Sequence, residues 1–167
     1  MNPLYTCAVQ IRLITDTDLP ALLEVYRQSE DFLALGPNPH ASLEIIAADR
    51  ALSREEGGEF CGLFDEEGRL MGVIDFVRSG FEGDPACAFL ELLMIAAPYR
   101  GQGLGEQAFH WLEGELRKLP GVTRLQAGVQ VNNPGAIRFW QRMGFKIIGG
   151  PERMPDTTVC YQLEKAL

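Results

Sequence analysis

Apolar and polar residues alternate through CAVQIRLIT (7–15), the period of a strand with one buried face. DTDL then offers capping residues. LPALLEVYRQSEDFLAL (19–35) carries its apolar side chains at helical spacing, so one helix is expected there until GPNPH breaks the chain. SLEIIAADRALSREE (42–56) repeats that spacing and stops at Gly57 and Gly58. EFCGLFDEEGRLMGVIDFV (59–77) reads as two strands about a turn at Glu66 to Gly68.

SGFEGDP (79–85) is a loop. ACAFLELLMIA (86–96) follows, an apolar run broken by one charge, which suits a central strand covered on both faces. A glycine-rich loop leads into an amphipathic helix at 104–118, then the strand RLQAGVQV (124–131), a short helix at 134–143 and a last strand in TVCYQLEKA (158–166). The expected order is β-α-α-β-β-β-α-β-α-β. With no repeat, linker or low-complexity tract, residues 1–167 read as a single α/β domain with a mixed sheet.

The glycine loop carries the chemistry. Gly101, Gly103 and Gly105 stand between a strand and a helix, behind Arg100. The first N–H groups of a helix have no partner inside it, and glycines let the chain wrap closely enough to aim them at phosphate oxygens. A pyrophosphate is the natural guest. The dinucleotide fingerprint fails because Glu106 stands where its third glycine belongs, and the P-loop fails because no lysine follows the glycines.

Bulk properties narrow the partners. With 46% hydrophobic and 23% charged residues the chain suits one globular core, while a net charge of −8 and a pI near 4.8 argue against nucleic acid or an anionic membrane. Any bound anion must be held locally. No apolar run reaches the ~18 residues of a membrane span, and the start lacks the layout of a signal peptide, so a cytoplasmic protein is expected. Cys7, Cys61, Cys87 and Cys160 are scattered, and His40 and His110 form no ligand pair, so no metal is expected.

LLMIAAPYRGQGLGEQAFHWLE (92–113) resembles the acetyl-CoA-binding motif of the GCN5-related N-acetyltransferase (GNAT) family, Arg/Gln-x-x-Gly-x-Gly/Ala after a strand. NNPGAIRFWQRMGF (132–145) is similar to that family's next motif, and IRLITDTDLPALLEVY (11–26) resembles its first strand and helix. The resemblance implies a mixed, mostly antiparallel sheet flanked by helices, with a central strand pair that splays. It further implies that backbone groups of Leu93, Met94 and Ile95 bind the pantetheine arm. The amides of Gly101, Gln102, Gly103, Leu104, Gly105 and Glu106, with Arg100, would hold the pyrophosphate, and Asn133 would touch the pantetheine side or cap its own helix. Arg138, Arg142 and Lys146 form either a solvated stripe or an edge near the nucleotide.

Glu91 is the candidate general base, since a lone carboxylate in an apolar strand faces a cleft or takes a partner. A lysine amine of pKa about 10.4 is only about 0.04% neutral at pH 7, so a base has work to do. Asp75 and Glu59 are the alternatives. Trp140 stands where the family often has a tyrosine that protonates the departing thiolate, which leaves water or Tyr161 for that part. The function implied is direct acetyl transfer from acetyl-CoA to a small-molecule or peptide amine; a non-catalytic CoA-binding sensor is the alternative. A route through Cys87 is disfavoured, because nothing beside it in sequence lowers its pKa. Phe32, Leu35, His40, Glu82 and Asp84 are candidates for the acceptor site, and the resemblance leaves a homodimer open.

Overall fold

A computed structural model of the chain describes residues 9–167. Seven strands form one sheet in the order β1-β2-β3-β4-β5-β7-β6: β1 (Gln10–Leu13), β2 (Glu59–Phe64), β3 (Leu70–Val77), β4 (Cys87–Ile95), β5 (Arg124–Gln130), β6 (Lys146–Arg153) and β7 (Val159–Ala166). Only the β4–β5 pair is parallel. The mixed, mostly antiparallel sheet with flanking helices is as expected.

Alternating side chains give each face of the sheet its own core. On one face α4 (Leu104–Arg117) and α5 (Pro134–Arg142) cover Leu63, Ile74, Phe76, Leu90, Leu125 and Leu163. On the other, α1 (Leu19–Arg27) and α3 (Leu43–Glu55) cover Phe60, Phe64, Val73 and Met94. Burying a large apolar side chain contributes ~1.5–3 kcal/mol. α3 starts where Ser42 accepts the Ile45 N–H at 3.2 Å. No helix among the described residues is long and apolar enough to cross a membrane.

Three readings of the pattern need correction. The helix expected over 19–35 is two, because the chain leaves helical geometry at Ser29 (φ −122°, ψ 18°) before α2 (Glu30–Leu33). The carbonyl of Gln28 accepts the Ala97 N–H at 3.1 Å, which ties that break to the end of β4. β6 is absent from the expected order. KIIGGPER is exposed along nearly its whole length, and its glycines interrupt the register with β7, so this edge strand has no alternation to read. The first strand is shorter than 7–15, and Cys7 lies outside the described residues.

Candidate active site

β4 and β5 part halfway along. Cys87 to Leu90 pair with Arg124 to Ala127, and beyond that point neither strand pairs with the other. A cleft of ≈ 1270 Å³ occupies the gap. The parting begins at Glu91. On β3, Asp75 faces Leu92 and Phe76 faces Leu90, so Glu91 is the extra residue of a bulge, a feature that bends its strand and re-aims a side chain.

The β3–β4 ladder decides which main-chain groups face the gap. Ala96 donates to the Met71 carbonyl at 3.0 Å, and antiparallel pairs alternate between bonded and unbonded. Met94 is therefore bonded to Val73, while Leu93 and Ile95 turn their N–H and C=O groups toward the cleft. The Ile95 carbonyl takes the Arg100 Nε proton at 2.8 Å, consistent with that direction.

At the end of β4 the chain makes a short 3-10 turn and enters the glycine loop. Gly101 and Gly103 have φ of 72° and 79°, in the left-handed region that a side chain disfavours. Space is not the constraint at either, since an added Cβ would meet nothing within 4 Å. Among the described residues, the N–H groups from Gly101 to Glu106 have no hydrogen-bond partner, and the first bonded amide is Gln107, which donates to the Gly103 carbonyl at 3.0 Å. Six consecutive free donors at a helix N-terminus are an anion cradle.

Glu91 projects into the same cleft. Although Glu91 keeps solvent-accessible surface, the surrounding cleft walls strip water from its carboxyl and, followed by the charges of Glu56, Asp75, Asp49 and Asp156, push it up to about 7. That value suits a group that must take and give protons near neutrality.

The structure gathers most of the residues singled out from the sequence. Glu91, Leu93, Met94, Ile95, Arg100, Gly101, Gly103, Leu104, Gly105, Glu106 and Asn133 all line the cleft. Gln102 does not; its side-chain amide donates to the Pro98 carbonyl at 3.1 Å and faces a separate small hollow. The Arg100 guanidinium is held by Asp31 at 2.5 and 3.0 Å. Asn133 caps α5 by accepting the Ala136 N–H at 3.1 Å, so its side-chain oxygen serves the fold. Arg142 lines the cleft; Arg138 and Lys146 do not.

Trp140 is a packing residue, with edge contacts to Phe109, Phe139 and Phe145. Tyr161 lies outside the cleft lining, packed toward the α4–α5 core. Asp75 is buried and accepts the Ser53 hydroxyl at 2.7 Å, while Glu59 is paired with Arg78, so neither alternative base reaches the gap. Cys87 is buried with its thiol on the Ala88 carbonyl, and burial pushes it up. Phe32, Leu35 and Glu82 line the cleft, whereas His40 stands outside it and Asp84 pairs with Arg124.

Glu56, Asp156 and Cys160 also line the cleft, and the motifs do not point to them. Only the period of β7 carries a signal: Cys160 and Tyr161 must face opposite sides. Glu56 and Asp156 sit at a helix end and in a loop, where spacing says nothing about direction. Among the described residues, no group of three His, Cys, Asp or Glu side chains is arranged to hold a metal.

A model of the acetyltransferase (GNAT) family matches residues 19–145. An acetyltransferase from Thermus thermophilus is 28% identical, superposes with a TM-score of 0.78, and the match covers 95% of this chain and 97% of that one. A ribosomal-protein-alanine N-acetyltransferase from Brucella melitensis is 25% identical, with a TM-score of 0.70 and coverage of 95% and 99%. At 12% identity, a spermidine N-acetyltransferase from Vibrio cholerae, solved with CoA and spermine, shares the fold with a TM-score of 0.70 over 95% of each chain. No curated protein matches the sequence.

Proposed function

Given that the chain belongs to the acetyltransferase (GNAT) family, we propose that it moves an acetyl group from acetyl-CoA to a primary amine by direct attack within a ternary complex. The observation that carries this reading is the run of six unpartnered amides, Gly101 to Glu106, at the mouth of a gap that also contains Glu91. The donor fits that site. A diphosphate needs several converging donors and room for close approach, and both left-handed glycines leave open space.

Acetyl-CoA supplies the acetyl group already activated as a thioester. The chain's own groups do the rest. Leu93 and Ile95 offer main-chain hydrogen bonds to an extended arm lying between the strands, in the manner of an added strand. The Ile95 N–H is the donor we assign to the acetyl carbonyl oxygen, where negative charge grows during attack. Holding donor and acceptor in one cleft removes the entropic cost of their encounter.

Glu91 takes a proton from the amine. The amine nitrogen bonds to the carbonyl carbon, the carbon–sulfur bond breaks, and the electron pair leaves with sulfur. A thiol of pKa about 8.5 departs tolerably as thiolate and is protonated by water, so no strong acid is required from Trp140. A covalent route through cysteine has little support, because burial first of all pushes up both Cys87 and Cys160.

The test couples calorimetric titration of acetyl-CoA with thiol release across a panel of amines. One-site donor binding and thiol release that depends on the amine are expected. Failure to bind acetyl-CoA, or thiol release equally fast without any amine, would overturn the reading.

A further inference from the structure

Resting on that acetyl-transfer reading, we propose that the acceptor is a small dication, an alkyl diamine or polyamine whose second ammonium sits among Glu56, Glu82 and Asp156 while its reacting amine meets Glu91. The carboxylates lining the cleft outnumber its cations. Among the described residues its cations are Arg100, already held by Asp31, and Arg142, whose guanidinium lies 5.8 Å from the Phe139 ring. Phe139 in turn packs beside Gly105, so these positive groups belong to the glycine-loop end.

Besides Asp31, Glu91 and, in that loop, Glu106, three carboxylates from other segments line the cleft. Glu56 closes α3, Glu82 sits in the loop before β4, and Asp156 lies between β6 and β7. The fields of Glu56 and Asp156 both reach Glu91. Several acids elsewhere stand in ion pairs: Asp18 with Arg12, Asp65 with Arg69, Glu113 with Lys165. Among the described residues Glu56, Glu82 and Glu91 have no such partner, and Asp156 accepts only from Thr158. A carboxylate at the C-terminus of a helix also opposes the helix dipole. A local conflict of this kind is expected at a functional site.

An independent observation comes from β5. Gln130 lines the same cleft, and its Oε1 is buried with no donor among the described residues. A Cβ on Gly36 would lie 3.7 Å from Gln130 Nε2 and 3.8 Å from Thr158, which sets Gln130 beside the loop of Asp156. Buried acceptors ordinarily find a donor, and an ammonium brings three. Apolar side chains line the same cleft beside these acids in sequence. Phe81 stacks on Phe89 at 3.9 Å, and Leu52 and Met154 expose side chains that no core uses. Methylenes flanked by two cations match that lining, whereas an acceptor bearing a carboxylate would be repelled.

Matched pairs test this: hexylamine against 1,6-diaminohexane, and an alanine dipeptide amide against one with lysine second, in both calorimetric binding and thiol release. The diamine should exceed the monoamine by at least about tenfold in kcat/KM and in affinity, equivalent to ~1.4 kcal/mol. The advantage should shrink with rising salt and fall to under about threefold in Glu56→Gln with Asp156→Asn and in Glu82→Gln, with acetyl-CoA affinity unchanged in each. Equal use of monoamine and diamine would overturn the inference and leave acetyl transfer standing. Preferential diamine binding without thiol release would do the reverse. Lysine dipeptides outrunning diamines would overturn the small amine and assign the same chemistry to a protein N-terminus.

Discussion

Arg100 lays its two terminal nitrogens on the Asp31 carboxylate, at 2.5 and 3.0 Å across 69 residues of chain, while its Nε donates to the Ile95 carbonyl at 2.8 Å. One side chain thus joins α2, the end of β4 and the start of the glycine loop. The arrangement explains why an arginine precedes the glycines without requiring it to touch phosphate.

Replacing Arg100 with Ala should therefore leave stability nearly intact and weaken donor binding. Both partners of the ion pair are well exposed, at 37% and 65%, and exposed pairs contribute ~0–1 kcal/mol. Losing the bond that orients the Ile95 carbonyl should cost about 1 kcal/mol of acetyl-CoA affinity, roughly fivefold. Thermal melts beside calorimetry separate the two effects, and a large drop in Tm with unchanged affinity would contradict this assignment.

Glu91→Gln should lower kcat by about 10²–10⁴-fold with acetyl-CoA affinity unchanged. In the parent, kcat/KM should climb with pH and level off above about 7, since the base works deprotonated and its carboxyl is held up there. A flat profile for the parent would mean that another group takes the proton.

The same residue should shape stability. Partial desolvation in the cleft and neighbouring carboxylates raise the folded value to about 7 from 4.5, so folding favours the protonated form. That contribution is complete below pH 4.5 and lost as pH rises through 7. The difference in Tm between Glu91→Gln and the parent should grow in favour of the variant from pH 4 to pH 8, as scanning calorimetry can measure.

Gly103 offers a test of conformation against space. Its φ of 79° penalises a side chain by about 1–2 kcal/mol, and no atom lies close enough to clash. Gly103→Val should lose both stability and acetyl-CoA affinity, while Gly103→Asn, which tolerates left-handed geometry, should lose less of each. Equal losses in the two variants would point to a steric cause.

Trp140 is 8% exposed within a cluster of three phenylalanines. Trp140→Ala should cost about 3–5 kcal/mol. Trp140→Phe should keep kcat within about threefold, because the ring fills space and moves no proton. A collapse of kcat in the Phe variant, with Tm maintained, would give the indole a chemical role.

What the sequence revealed follows from where the physics is local. The glycines from 101 to 105 and the apolar run around Glu91 announce themselves in consecutive residues, so the loop and central strand could be read directly. The bulge at Glu91 could not, since it exists only in the register against Asp75 and Phe76. Asn133 shows the limit of a motif: the residue stands where expected, yet its oxygen caps a helix. Gln102 sits in the right run and points elsewhere. Glu82 could be named from its loop, whereas Glu56 and Asp156 could not, because they come from distant segments that only the folded chain brings to the same cleft.

The free donors from Gly101 to Glu106 belong to the main chain, and so are atoms that every amino acid here possesses. Inheritance at that loop guards permission to bend more than the identity of a functional group. The acidic lining is written in side chains and can be revised one codon at a time. A new acceptor preference can therefore evolve on a grip that never has to be reinvented.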